Sequence, residues 1–233
     1  MRIALVSDVH GNYPALISVI EDAVANNVDR FILVGDYIFD LPFSNEVVEL
    51  LMKLENAHIV KGNKEDYLSI LKNDNQVNRT IKQLNSLYQT FLNLPSAYYD
   101  YLIGLDGECY MELNPSLSLY AIHCPKAFNP WPKTPSLSSS YFYKRFLEEP
   151  FTHERFLEDF NDALNHDEIK GPISQIDANI IVFGHNHLQA YGFCGDKLII
   201  NPGSCGQPCD FSTTAPYTIL EVMGNELDVR AAL

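Results

Sequence analysis

Seven residues of types that can ligate cations fall in five short clusters of this chain: Asp8 with His10, Asp36, Asn63, His123, and His185 with His187. They offer two carboxylates, one amide oxygen and four imidazoles. About seven donors are too many for one tetrahedral zinc. They suit two first-row cations that share a bridging carboxylate at roughly 3.5–4 Å. No cysteine belongs to the set, which argues against soft-metal or iron–sulfur chemistry. Asn63 fits such a site because a neutral amide oxygen ligates without adding charge, so the cation stays electrophilic. Gly62 before it lets the backbone turn sharply.

The elements that must position these residues alternate between two periods. Arg2–Ser7, Phe31–Val34 and His58–Val60 are short apolar runs that read as buried strands. Pro14–Asn27 and Asn45–Leu54 between them have helical apolar spacing, with Pro14 in a first turn and Ser44 as an N-cap. Strand–helix–strand–helix–strand predicts parallel strands with right-handed crossovers. Residues 65–94 read as helical up to Pro95, and 98–122 as several short strand-like runs ending at Leu117–Ile122. Strands resume at Asn179–Phe183, Gln189–Phe193, Lys197–Ile200, Tyr217–Val222 and Glu226–Val229, the last four as an antiparallel meander. On this frame all five clusters sit at carboxyl ends of strands, the edge where open α/β sheets bind ligands. Singly each is weak: a lone Asn in a turn usually bends the backbone, and a lone His after a strand is usually core. Five on one edge are hard to explain that way.

The chain has 233 residues, 46% of them apolar, which suits one domain with a substantial core, here taken as residues 1–233. Residues 125–175 begin rich in proline and serine and continue helical with many aromatics over 141–165. They read as a helical insertion or lid. A net charge of −14 excludes a basic groove for a nucleic-acid duplex. No run reaches transmembrane length, so no membrane partner is expected. The N-terminus lacks a secretory cleavage pattern, and the five cysteines show no C-x-x-C spacing. Reduced thiols in a cytoplasmic protein are the expectation.

The order D-x-H, G-D, G-N, H, G-H-x-H resembles that of the calcineurin-like metallophosphoesterases. The matching text is SDVHGN (7–12), VGD (34–36), KGNKE (61–65), AIHC (121–124), FGHNH (183–187) and NPGS (201–204). The resemblance spans roughly residues 1–222 without the 125–175 segment, and points to the small bacterial and archaeal branch. It implies an α/β fold, a four-layer α/β/β/α sandwich of two mixed sheets with a helical insertion, in place of one open sheet. It implies that Asp8, His10 and His187 ligate one metal, that Asn63, His123 and His185 ligate a second, and that Asp36 bridges them. It implies in-line attack on phosphorus by a hydroxide held between two divalent or trivalent ions of manganese, iron or zinc, manganese first among them.

Candidate catalytic residues are Asp36, Asn63 and Lys64. Lys64 departs from the family pattern, where many relatives read G-N-H with a histidine that protonates the leaving oxygen or orients the phosphate. A lysine is a poor proton donor at neutral pH but a good fixed charge, and two dications nearby leave some room for acid catalysis. The plain alternative is a surface residue paired with Glu65 or Asp66. A phosphate leaving group needs no proton, so losing the histidine tilts the substrate toward phosphoanhydrides or activated esters. The text GDYIFDLP (35–42) lacks the D-R-G arginine of protein phosphatases. Asn12 could face the phosphate, though its role as a turn residue is favoured. Phe128, Trp131, Tyr141, Phe142, Tyr143 and Phe146 could stack a nucleobase, but core packing is the commoner use of such a stripe. The expected partner is a small phosphorylated substrate, preferably a nucleotide such as a dinucleoside tetraphosphate, with an oligomer possible. A generic phosphodiesterase or phosphomonoesterase is the alternative. A metal-binding scaffold without catalysis, or a nucleotide sensor without turnover, would come from another class.

Overall fold

Strands β1 (Arg2–Val6), β2 (Arg30–Val34) and β3 (Ala57–Val60) pair in parallel. β1 and β2 are apolar nearly end to end because both their faces are covered. Alternation along each strand sends side chains to two different layers. Ala4, Val6 and Leu33 face helices, while Ile3, Leu5 and Ile32 face a second sheet. The computed structural model describes residues 1–73, 85–124, 152–209 and 213–232.

The first sheet has the order β10-β9-β1-β2-β3, with β9 (Tyr217–Met223) and β10 (Glu226–Ala232) antiparallel at one edge. The second has the order β4-β5-β6-β8-β7, built from β4 (Glu108–Asn114), β5 (Leu117–Ile122), β6 (Ile180–Val182), β7 (Gln189–Cys194) and β8 (Lys197–Pro202). β5, β6 and β8 run parallel, and the outer pairs are antiparallel. Helices α1 (Tyr13–Ala25), α2 (Ser44–Lys53), α3 (Asn63–Asn73), α4 (Asn85–Asn93) and α5 (Ser96–Ile103) cover the first sheet. α6 (His153–Leu164) and α7 (Asp167–Ser174) cover the second through Phe160, Leu164, Ile169 and Ile173. Three apolar layers thus separate four layers of structure, the expected α/β/β/α sandwich of two mixed sheets.

Three local expectations change. Residues 98–103 are helix, not strand: tyrosine-rich text favours strands in isolation, but Tyr99 and Leu102 lie one helical turn apart and bury together in the first core layer. Ser44 is the first residue of α2 and not its cap; its Oγ accepts from Phe39 N at 3.1 Å. The last four strands are two hairpins in different sheets, because β9 pairs with β1 and not with β8. Residues 125–151 lie outside the described residues, and with them the six aromatics Phe128 to Phe146. The rest of the 125–175 segment supplies α6 and α7. Among the described residues, no helix is long and apolar enough to cross a membrane.

Candidate metal centre

Each of the seven predicted donors follows a strand on one edge of the sandwich. Asp8 and His10 follow β1, Asp36 follows β2, Asn63 opens α3 just after β3, His123 follows β5, and His185 and His187 follow β6. Five of them, Asp8, His10, Asp36, His185 and His187, have φ between 49° and 75°. Non-glycine residues hold that left-handed conformation only where surroundings impose it. Here the loops brace each other. Asp8 N donates to Gly35 O at 3.1 Å, His10 N to Asp36 O at 2.9 Å, and Gly184 N to His123 O at 3.0 Å. The chain leaving β8 crosses over the same loops, where Cys205 N donates to Ser7 O and Gly206 N to Asp8 O.

Gly62 is needed for close approach and not for a sharp turn. A Cβ there would lie 2.3 Å from Asp36 Oδ1. At Gly184 a Cβ would meet Ser7 Oγ at 2.0 Å and Asp8 Oδ2 at 2.6 Å. Both glycines let a backbone press against a carboxylate of the cluster.

The seven side chains converge. His10 Nε2 lies 3.1 Å from His187 Nε2, and Asp8 Oδ1 is 3.7 Å and 3.3 Å from the two. His123 Nε2 is 3.4 Å from Asp36 Oδ2 and 3.1 Å from Asn63 Oδ1, and His185 Nδ1 is 3.0 Å from that same amide oxygen. Asp36 Oδ2 stands between the two halves, 3.9 Å from His10 Nε2. Two triads could each hold a cation: Asp8, His10 and His187, and Asp8, Asp36 and His123.

The donors also face the right way. His10 Nδ1 donates to Asp40 Oδ2 at 2.8 Å, His123 Nδ1 to Val34 O at 2.7 Å, and His187 Nδ1 to Gln207 O at 2.9 Å. Each bond fixes a proton on Nδ1 and turns Nε2 inward, where it can give a lone pair to a cation or, without one, hold a second proton. Two such lone pairs at 3.1 Å repel unless a proton or a cation lies between them. Asp8 is fully buried; its Oδ2 accepts from Ser7 Oγ and His185 N, while its Oδ1 has no hydrogen-bond partner. An orphaned buried carboxylate oxygen among inward lone pairs fits a cation site.

The electrostatics agree. Burial alone would raise the Asp8 carboxyl, but His123, His10 and His187 hold it well below the usual carboxylate range. Burial opposes charge on His123, yet Asp36 and Asp8 push it up to about 10. His187 also rises to about 10, against burial, through Asp8 above all. The cluster is anionic enough to retain protons where no cation stands.

The calcineurin-like phosphoesterase family profile matches residues 1–189, which include all seven donors. The chain belongs to the calcineurin-like phosphoesterases. This phosphoesterase is a metal-dependent hydrolase of a family that uses divalent ions. A metallophosphoesterase from Sphaerobacter thermophilus shares its fold at a TM-score of 0.66 and 21% identity, over 100% of this chain and 89% of that one. A hypothetical protein from Pyrococcus horikoshii gives 0.69 at 16% identity, over 98% and 86%. The Escherichia coli phosphoesterase Yfce gives 0.50 at 18% identity, over 95% and 88%. No curated protein sequence matches the phosphoesterase significantly.

Asn12 takes its favoured local role, and Lys64 stands beside the centre with a partner the sequence does not suggest. Asn12 caps α1, its Oδ1 accepting from Ala15 N, and its Nδ2 donates to Gly206 O. Lys64 Nζ pairs with Asp40 Oδ2 at 2.9 Å and not with Glu65 or Asp66. Asp66 pairs with Lys61, and Glu65 is turned inward. Sequence reasoning misses Asp40, which lies within GDYIFDLP, and Glu65, which lies within KGNKE. The Glu65 carboxylate accepts from Asp36 N, Tyr37 N and Gly62 N, tying two donor loops together. It also misses Ser204, whose Oγ donates to Asp8 O at 2.7 Å and explains why NPGS lies beside the centre. Glu65 and Ser204 end the matched motifs KGNKE and NPGS, and Asp40 lies four residues after Asp36; that proximity is the signal for them.

Proposed function

We propose that this phosphoesterase cleaves phosphodiester or phosphoanhydride bonds with two transition-metal ions, manganese first among candidates, and prefers a nucleotide such as a dinucleoside tetraphosphate. The carrying observation is Asp8 Oδ1, buried without a partner amid inward Nε2 lone pairs. Asp8, His10 and His187 would hold one ion; Asn63, His123 and His185 would hold the other, with Asp36 between. Ions held there supply Lewis acidity toward a phosphoryl oxygen and lower the pKa of a water.

The chain's own residues do the rest. The Nδ1 bonds of His10, His123 and His187 keep each ring in one tautomer and one orientation. Asn63 contributes a neutral oxygen. Lys64 stands directly after it as a cation held by Asp40, well placed as a fixed charge and poorly suited to protonate an alkoxide. That supports an anhydride, whose phosphate leaving group departs without a proton.

The test is metal analysis of the purified protein, then a hydrolysis panel with manganese: nitrophenyl phosphate mono- and diesters, dinucleoside polyphosphates and phosphopeptides. Expected are about two ions per chain and fastest turnover of the polyphosphates. Bound metal with no turnover of any member would overturn the enzymatic reading. Faster turnover of simple diesters would overturn the nucleotide preference alone.

A further inference from the structure

A cleft of about 320 Å³ adjoins the metal centre, between the loop after β2, the start of α2 and the helix α4. Asp40 belongs to both places: its Oδ2 holds His10 and Lys64, and the same residue lines the cleft. The other polar lining comes from Ser44, Asn45, Gln89, Thr90 and Asn93. We propose that this cleft is the subsite for an uncharged, hydroxyl-rich arm of the substrate, a sugar or a glycerol unit esterified to the phosphate. This rests on the phosphoesterase reading above.

The lining chemistry selects the ligand. Among the described residues no lysine or arginine lines the cleft, and the one ionisable group there is the Asp40 carboxylate. The pocket therefore opposes a second phosphate. Among the described residues no aromatic ring lines it either, so they offer a nucleobase no stacking platform there. Asn45 Nδ2 donates to Asn93 O at 3.2 Å, and Asn93 Nδ2 donates to Gln89 O at 2.8 Å. Those bonds use one N–H of each amide and leave its second N–H and its oxygen. With the Asp40 carboxylate, the Gln89 amide and the Thr90 hydroxyl, the lining offers both acceptors and donors. Hydroxyl groups, each donor and acceptor at once, complement it.

Position agrees with composition. A phosphate over the centre would have an ester arm passing Lys64 and Asp40 to reach α4. In a nucleotide the sugar is the part next to the phosphate, so the proposal covers ribose and glycerol alike.

The test uses 4-nitrophenyl phosphodiesters that differ only in the second alcohol: methyl, glyceryl, ribosyl and aminoethyl. All release the same nitrophenolate from the same phosphorus, with manganese-loaded protein. The glyceryl or ribosyl diester should show kcat/KM about fivefold or more above the methyl diester, mostly through KM, roughly one or two hydrogen bonds. Which polyol leads identifies the source. Gln89→Leu with Thr90→Val should abolish that preference and leave the methyl diester rate unchanged. Gln89 is exposed, Thr90 is half-buried, and Leu and Val keep the size of the side chains they replace, so the variant keeps its fold. Equal kcat/KM for methyl and polyol diesters, a preference that survives in the variant, or a lead for the aminoethyl diester would each overturn the subsite. Hydrolysis of no diester, with dinucleoside polyphosphates still turned over, would overturn the subsite alone; hydrolysis of neither would overturn the phosphoesterase reading and the subsite with it.

Discussion

Lys64 Nζ lies 2.9 Å from Asp40 Oδ2, the same oxygen that accepts from His10 Nδ1 at 2.8 Å. One carboxylate thus orients a proposed metal ligand and anchors the cation beside it. The His10 bond, and then Lys64, hold the Asp40 carboxyl down at about 2 against partial burial. It is therefore an anion throughout the neutral range. The position where many relatives carry a proton donor is here one end of an ion pair.

The pair separates two effects by mutation. Lys64→Ala should lower kcat on a phosphoanhydride by about tenfold, the loss of one charged hydrogen bond to the transition state, with metal content unchanged. Asp40→Asn should instead weaken metal binding by about 10–100-fold, because His10 loses its charged partner. Steady-state kinetics beside metal titration would check both. Unchanged kcat in Lys64→Ala on anhydride and alkyl diester alike would reduce the lysine to a surface charge and remove the reason for preferring anhydrides.

Asp36 offers the sharper test of two ions. Its Oδ2 stands between His123 and His10, and its Oδ1 accepts from Lys64 N at 2.8 Å. Asp36→Asn keeps the shape and removes the charge. Hydrolysis should fall by about a hundredfold or more, as for loss of a preorganised electrostatic group, and metal content should fall with it. Wild-type turnover at wild-type metal content would rule out a carboxylate shared between ions.

Much of this arrangement is legible in the amino-acid sequence. The seven donors can be read because each terminates an apolar strand, and strand ends on one edge must converge. The two-sheet sandwich is legible only through the family resemblance, since period-two patterning does not say which hairpin joins which sheet. β8 and β9 look like successive meander strands, yet β9 pairs with β1. The bracing residues are hidden for a related reason. Glu65 reads as a helix-surface acid, and only the approach of β2 to β3 reveals three backbone N–H groups around it. For Lys64 the sequence suggests partners among its chain neighbours, while its actual partner lies 24 residues away.

Metal binding should depend steeply on pH. His123 and His187 stand at about 10 where no cation is present, raised against burial by Asp36 and Asp8 respectively. A cation must displace those protons. Apparent affinity should therefore climb as pH rises from about 6 to about 9, up to about tenfold per unit for each proton released. For the metal-free protein the sign reverses. Stability from these rings is fully present below about 6.5 and is lost as pH rises through about 10. Competition with a chromophoric chelator, and denaturation of the metal-free chain, at matched pH values would show both trends. Affinity independent of pH over that range would contradict the inward-facing protonated rings.

Tyr37 makes the last prediction, about how the fold carries the site. It is fully buried, and burial, with Glu65 nearby, holds its phenol well above the ordinary value, so it stays protonated. The hydroxyl donates to Val60 O at 2.6 Å and accepts from Gly35 N at 2.9 Å. It thereby ties the end of β3, which leads to Asn63, to the end of β2, which leads to Asp36. Tyr37→Phe keeps the ring packing but leaves a buried carbonyl and a buried N–H without partners, at a cost of about 1–3 kcal/mol. For a chain of this size that corresponds to a fall in Tm of roughly 2–4 °C per kcal/mol. The metal-free protein should lose this stability, and metal affinity should fall as well, because the two loops are no longer held at one spacing. Scanning calorimetry with and without manganese would measure both. A lower Tm with unchanged metal affinity would mean that the brace serves the core alone, and that Glu65 suffices to set the distance between Asp36 and Asn63.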